Sequence, residues 1–277
     1  MFGFRPDGKK VKDLDPIMKI VPHIMSARHD SQNLSTCDVP CEPMDAFIRK
    51  HAESGVQYTY MHIVIASVIR AMAMYPGLNR FVMNGRVYDH NELQVSFVVK
   101  KSLSPDAPES LVKICCTGRE TIAEIREKVN AVIAENGRKD ANNGTEKLAR
   151  VLTFTPNFLI KFLVGSIKFL DKHGMLPMAI LKHSPFHTSV FITNLKSIKG
   201  PSIFHHLYDF GTTGLFLAMG KESVVPVVEG NEIKKGKMMP LQMSMDERFC
   251  DGFYWVCGLR QLRHFMHNPT LLETSLV

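Results

Sequence analysis

Leu241-Gln-Met-Ser-Met-Asp-Glu-Arg-Phe-Cys-Asp-Gly252 is a strand that runs into the start of a helix. Met239, Leu241, Met243 and Met245 alternate with Pro240, Gln242 and Ser244, the period of a half-buried strand over 238–245. The alternation stops at Asp246. After Asp251-Gly252, the residues Val256, Leu259, Leu262 and Phe265 fall on one helical face, and Asn268-Pro269 ends that helix.

Working outward, strand and helix signals mix without a regular strand–helix–strand series. Glu42-Pro43 open a helix with Met44, Phe47 and Ile48 on one face. Thr59 caps a second helix over about 60–75. Its Met61, Ile63, Val64, Ile65, Val68, Ile69 and Met72 go nearly all round, so it is expected to be buried on most sides. Asn84-Gly85, between Phe81-Val82-Met83 and Arg86-Val87-Tyr88, is a hairpin signal. Leu93, Val95, Phe97 and Val99 alternate as in a strand, and further strands are expected at 111–116, 188–193, 214–219 and 224–228. Thr121 with Glu124 is a capping box, and Gly137 is expected to close the helix behind it. The expected class is α/β, an α+β two-layer sandwich with a mixed β-sheet flanked by helices.

Residues 1–20 are polar and basic and read as an N-terminal arm, with 21–277 as a single domain. A length of 277 residues with 45% hydrophobic content suits one large core. Residues 148–182 are rich in Leu, Phe and Ile with Lys and Asp interspersed, part of a divergent helical insertion over about 140–187. Core packing, or a lid over a site, suits that composition; membrane-surface contact is the other reading. The most apolar segment, 158–170, is short and broken by Lys161 and Lys168, so no membrane span is expected. No long apolar run follows Met1, so no signal peptide is expected, and a cytoplasmic protein is the default.

The net charge of +7 is scattered, which argues against a nucleic-acid partner. Its densest cluster, Lys234, Lys235 and Lys237 beside Gly230, Asn231 and Gly236, reads as a hairpin tip. The charge also suits attraction for an anionic small molecule. Six cysteines without paired knuckles read as buried free thiols rather than a metal site. Nucleotide-binding glycine loops, a Gly-x-Ser-x-Gly elbow and a His-Glu-x-x-His helix are all missing. His183 and His187 flank Pro185, which breaks the helical geometry of a metal pair. His205-His206 diverge if extended.

The segment 241–252 resembles the signature of chloramphenicol acetyltransferases and of the catalytic domain of 2-oxo-acid dehydrogenase acyltransferases. That signature is a strand, then His-x-x-x-Asp-Gly, then a helix. Asp246, Arg248, Asp251 and Gly252 match the dehydrogenase version, and Cys250-Asp251-Gly252-Phe253 the chloramphenicol version. Asn268-Pro269-x-Leu271-Leu272 resembles the dehydrogenase family's closing segment. Phe191-Ile-Thr-Asn-Leu195 resembles the strand that supplies a hydroxyl to the tetrahedral intermediate, with Thr193 in that place and Asn194 beside it. The run from Met61 to Asn79 resembles the family's second helix. The resemblance covers roughly 20–273 and fits 140–187 poorly.

The resemblance implies the CoA-dependent acyltransferase fold and a homotrimer with active sites at subunit interfaces. It implies acyl-CoA as co-substrate, a short acyl group, a small-molecule acceptor and no metal. The family's Asp is mainly structural and pairs with an arginine, so Arg28 is expected to support Asp251, with Gly252 and Asn194 as further support. No lipoyl or subunit-binding domain is recognised, so free acyl-CoA is expected rather than a tethered lipoyl donor.

Glu247 stands where the family carries its general-base histidine. A neutral imidazole faces a CoA thiol across a gap of about 2 pKa units, an ordinary glutamate across about 4. Glutamate is therefore the poorer base by about 3 kcal/mol, on the order of a hundredfold. Burial would remove the deficit. Three readings follow: an acyltransferase with Glu247 as base and Thr193 on the oxyanion, a CoA- or acyl-binding module that has lost the chemistry, and a structural trimer in which Glu247 is a surface or inter-subunit salt-bridge residue.

Overall fold

The computed structural model describes residues 4–100, 109–138 and 155–276. Among these, a seven-stranded mixed sheet runs in the order β2 (Gln32–Pro40), β10 (Glu232–Asp246), β8 (Leu215–Met219), β7 (Val190–Asn194), β5 (Leu93–Lys100), β6 (Glu109–Cys116), with β9 (Ser223–Glu229) paired to the far part of β10. The central strands β5, β7 and β8 are parallel and the outer pairings antiparallel. A three-stranded sheet joins β1 (Gly8–Lys10), β4 (Arg86–His90) and β3 (Arg80–Met83).

Alternation along the strands builds two unequal layers. Val190, Ile192, Leu215, Leu217, Met219, Met239, Leu241, Met243 and Met245 all point into one large core. Helices α2 (Glu42–Glu53), α3 (Tyr60–Met74), α4 (Ile122–Arg138) and α7 (Gly252–His267) cover that face. Phe191 and Phe216 point the other way, stack at 5.0 Å and pack with Leu207 and Tyr208. Helix α3 is buried on nearly every side, as its sequence requires, and each fully buried Ile contributes about 1.5–3 kcal/mol. The hydroxyl of Thr59 and the ring of His62 close its capping box.

The Asn84-Gly85 turn has both residues at positive φ, the primed geometry that suits a two-residue hairpin. The 121–124 capping box is formed, but α4 continues through Arg138, past the stop expected at Gly137. In α7 the expected Leu262 and Phe265 are buried and Leu259 packs half-buried against the core, while Val256 is exposed and Trp255, Gly258 and Met266 are buried besides. The basic cluster sits on an arm of the β9–β10 hairpin, not at its Gly230-Asn231 turn, and Lys237 is held by Asp45 at 2.8 Å. Four of the six cysteines are buried and all six are free; Cys115 is exposed and Cys257 half-buried. The rings of His205 and His206 lie 4.8 Å apart instead of diverging, because Nδ1 of His205 turns to the carbonyl of His206.

The N-terminal stretch takes part in the fold from Arg5 onward. Gly8–Lys10 pairs with β4, and α1 (Pro16–Ile24) follows. Of the expected insertion, 139–154 lies outside the described residues. The rest forms α5 (Asn157–Lys172) and α6 (Met178–His183). Core packing of α5 is not what the structure has: Phe158, Phe162 and Phe169 are exposed, and only Asp171 is buried. No helix among the described residues is long and apolar enough to cross a membrane.

Candidate active site

Strand β10 ends at Asp246, a single 3-10 turn spans Glu247–Phe249, and α7 begins at Gly252. Asp251 is the N-cap: its Oδ1 accepts the Tyr254 backbone N–H at 2.8 Å. The junction sends neighbouring side chains to opposite sides. Glu247 is exposed, while Asp246 and Arg248 are buried. The Glu247 carboxylate makes no hydrogen bond or ion pair among the described residues. Arg248 does not compensate its neighbour, because its guanidinium turns back onto Asp246 with Nε 2.8 Å from Oδ1 and Nη2 2.7 Å from Oδ2.

Asp246 is the hub of a buried network. The Ser31 hydroxyl donates to it at 3.0 Å, and Nε of Arg28 lies 3.5 Å from Oδ2. Arg28 also donates to the carbonyls of Tyr208 and Gly211. Burial holds the Arg28 guanidinium below the usual arginine range; Asp246 opposes that shift and the nearby Arg248 charge adds to it.

Thr193 and Asn194 close β7 at the other end of the sheet. Thr193 is half-buried, and Asn194 caps the next turn by accepting the Ser197 N–H at 3.1 Å. Thr193 is level with Ala218, and Ala218 with Gln242, five residues before Glu247. At ordinary spacings Thr193 and Glu247 are about 10 Å apart across the sheet and about 16 Å along it. One chain does not bring them together.

This junction, sheet and helix layer are also found in known proteins. Residues 213–274 match the family described as 2-oxoacid dehydrogenases acyltransferase (catalytic domain). A relative from Bacillus subtilis (strain 168), the dihydrolipoyllysine-residue acetyltransferase component of an acetoin cleaving system, is 23% identical over 218 residues, 79% of this chain and 44% of that protein. The cubic core of a pyruvate dehydrogenase multienzyme complex superposes with a TM-score of 0.61 at 13% identity, covering 95% of this chain and 94% of that one. A chloramphenicol acetyltransferase superposes at 0.56 with 12% identity, over 94% and 99%. The chain has the fold of the chloramphenicol acetyltransferase-like superfamily. It spans less than half the length of the curated relatives it matches.

Against the superfamily pattern, one expected pairing is replaced. Arg28 does not meet Asp251. It meets Asp246, because Asp251 is exposed and turned to the amide of Tyr254. A Cβ on Gly252 would touch nothing within 4 Å, so packing inside one chain does not require glycine there. The sequence did signal Asp246 and Arg248, which match the dehydrogenase signature on either side of Glu247. It did not signal Ser31, or the buried set Arg5, Asp171 and His187. There Nη2 of Arg5 donates to Asp171 at 2.8 Å, and His187 Nε2 lies 3.2 Å from the same carboxylate. Arg5 lies 166 residues before Asp171, and no spacing rule joins it to Asp171 and His187. No group of three or more His, Cys, Asp or Glu able to hold a metal occurs among the described residues.

Proposed function

We propose that this chain is the catalytic core of a CoA-dependent acyltransferase, that it moves a short acyl group from free acyl-CoA to a small-molecule acceptor, and that it works in the cytoplasm as a homotrimer. The observation that carries the reading is the junction at 246–252. There Glu247 is exposed while Asp246 and Arg248 pair inward on either side of it, which supports a role for its carboxylate as the base. The separation of Thr193 from Glu247 supports the trimer, since a second copy supplies the missing half of each site.

In this reading Glu247 takes the proton from the acceptor's nucleophile as that atom attacks the thioester carbonyl. The Thr193 hydroxyl donates to the oxyanion of the tetrahedral intermediate. Collapse breaks the carbon–sulfur bond, and the departing thiolate recovers the proton from Glu247. The test is release of free thiol from acetyl-CoA with and without an acceptor pool, in the wild type and in Glu247→Gln. Unchanged turnover in the variant removes Glu247 from the mechanism.

A second reading has one observation in its favour. Among the described residues, Glu247 has no hydrogen-bond partner to orient it. CoA binding by calorimetry with no turnover of any acyl-CoA selects this reading, a binding module on the same fold.

A further inference from the structure

Distinct from Thr193 and Glu247, though lined by Arg248 next to Glu247, a cavity of about 530 Å³ opens between the end of α1, the β3–β4 turn and the end of α5. Neither of those two residues lines it. Its charged lining is mainly cationic. Buried Arg28 and Arg248 line its interior, and Lys168 and Lys172, one helical turn apart on α5, reach it from the exposed side. Neither lysine pairs with a carboxylate among the described residues.

The carboxylates nearby are already engaged. Asp171 is held by Arg5 and His187, and Asp209 accepts from the Arg28 and His29 backbone N–H groups and meets the His29 ring at 2.7 Å. Asp246 faces both arginines. Arg28, Arg248, Lys168 and Lys172 thus stand against Asp171, Asp209 and Asp246, which leaves one positive charge in excess. Arg5 and its second partner Asp7 cancel. The buried pairing of Asp171 fixes the end of α5, and so holds Lys168 and Lys172 at the cavity. Pro22, Val82, Met83 and Phe210 add an apolar wall.

We infer that this cavity binds a small organic anion, its phosphate or carboxylate group held by Lys168 and Lys172 and its apolar body placed against Val82, Met83 and Phe210. Cavities of this size hold small organic ligands, and a lining with cationic excess selects their charge. The inference stands whether or not Glu247 supports catalysis.

The test is calorimetric titration of the whole protein at fixed ionic strength with phenyl phosphate in one arm and benzoate in the other. Binding in the phosphate arm alone marks a phosphomonoester ligand, and in the carboxylate arm alone an organic acid. The double variant Lys168→Ala/Lys172→Ala is expected to lose about tenfold or more in affinity, since two exposed charge contacts are removed. Lys168→Arg/Lys172→Arg should retain binding. Both variants change exposed positions, so their unfolding midpoints should match the wild type. Heat in neither arm overturns the inference. So does equal affinity in the alanine variant, or displacement of the bound probe by saturating CoA, which would return the cavity to the donor.

Discussion

Nε of Arg28 lies 3.5 Å from a carboxylate oxygen of Asp246, and Asp251 is left to cap a helix. The two aspartates of the signature therefore do different work. Asp246 is fully buried between two guanidiniums and the Ser31 hydroxyl. Removing it leaves two desolvated positive charges without a partner, at a cost of about 3–5 kcal/mol. Removing an N-cap costs about 1 kcal/mol. Urea unfolding of Asp246→Ala and Asp251→Ala should rank them in that order. Equal losses would mean that Asp251 has the structural role instead.

Much of the fold was legible because its signals are local. Thr59, the Asn84-Gly85 turn and the alternation at 238–245 each act within a few residues, and the structure has each one. The site was legible only as a row of positions. Whether Glu247 faces in or out depends on what Asp246 and Arg248 do. They turn inward because Arg28, Ser31 and the Met25 carbonyl wait there, from more than 200 residues earlier. Composition misled at α5. Its apolar residues suited core packing as well as a lid or a membrane surface, yet the only buried residue of α5 is an aspartate, drawn in by Arg5 and His187. Long-range charge pairing leaves no periodic trace in a sequence.

If each site is shared between subunits, as proposed, one consequence is direct. Thr193→Val and Glu247→Gln should each be inactive alone in the acetyl-CoA assay. Mixed after unfolding and refolding together, they should recover about a quarter of the wild-type activity per chain, because random assembly in a cyclic trimer gives one site in four an intact Thr193 and an intact Glu247. Sedimentation of the same mixture reports the trimer. A monomeric mass, or no recovery in an assembled trimer, would count against a shared site.

Part of the acid sensitivity should lie at Glu120, away from the site. Burial alone would raise its carboxyl, but the Lys128 ammonium at 2.8 Å and the Thr117 N–H outweigh it and hold Glu120 down at about 2. A carboxylate depressed in the folded state stabilises fully above its unfolded value of about 4.5. That contribution fades as pH falls toward 2. Solvent screens the pair with half-exposed Lys128, so Glu120→Gln should cost about 1–2 kcal/mol at pH 7, less than the full shift, with the difference from wild type shrinking below pH 4.5 and nearly gone at pH 2. Urea midpoints across that range measure it, and a pH-independent difference would assign the loss to packing.

The remaining prediction turns on residue 247 itself. The Glu247 side chain is exposed and its neighbour Arg248 is committed to Asp246, so a histidine fits there without disturbing the buried network. Imidazole is the stronger base by about 2 pKa units. If the rest of the site is built for acyl transfer, Glu247→His should raise kcat on acetyl-CoA by up to about a hundredfold. The acid limb of kcat/KM should also move upward in pH, because a histidine gives up its proton about two units later than a carboxylate. A rise in rate with the shifted limb identifies residue 247 as the base. A histidine variant that binds CoA as the wild type does, yet turns nothing over, shows that the oxyanion and acceptor parts of the site are missing as well, and leaves the chain as a binding module.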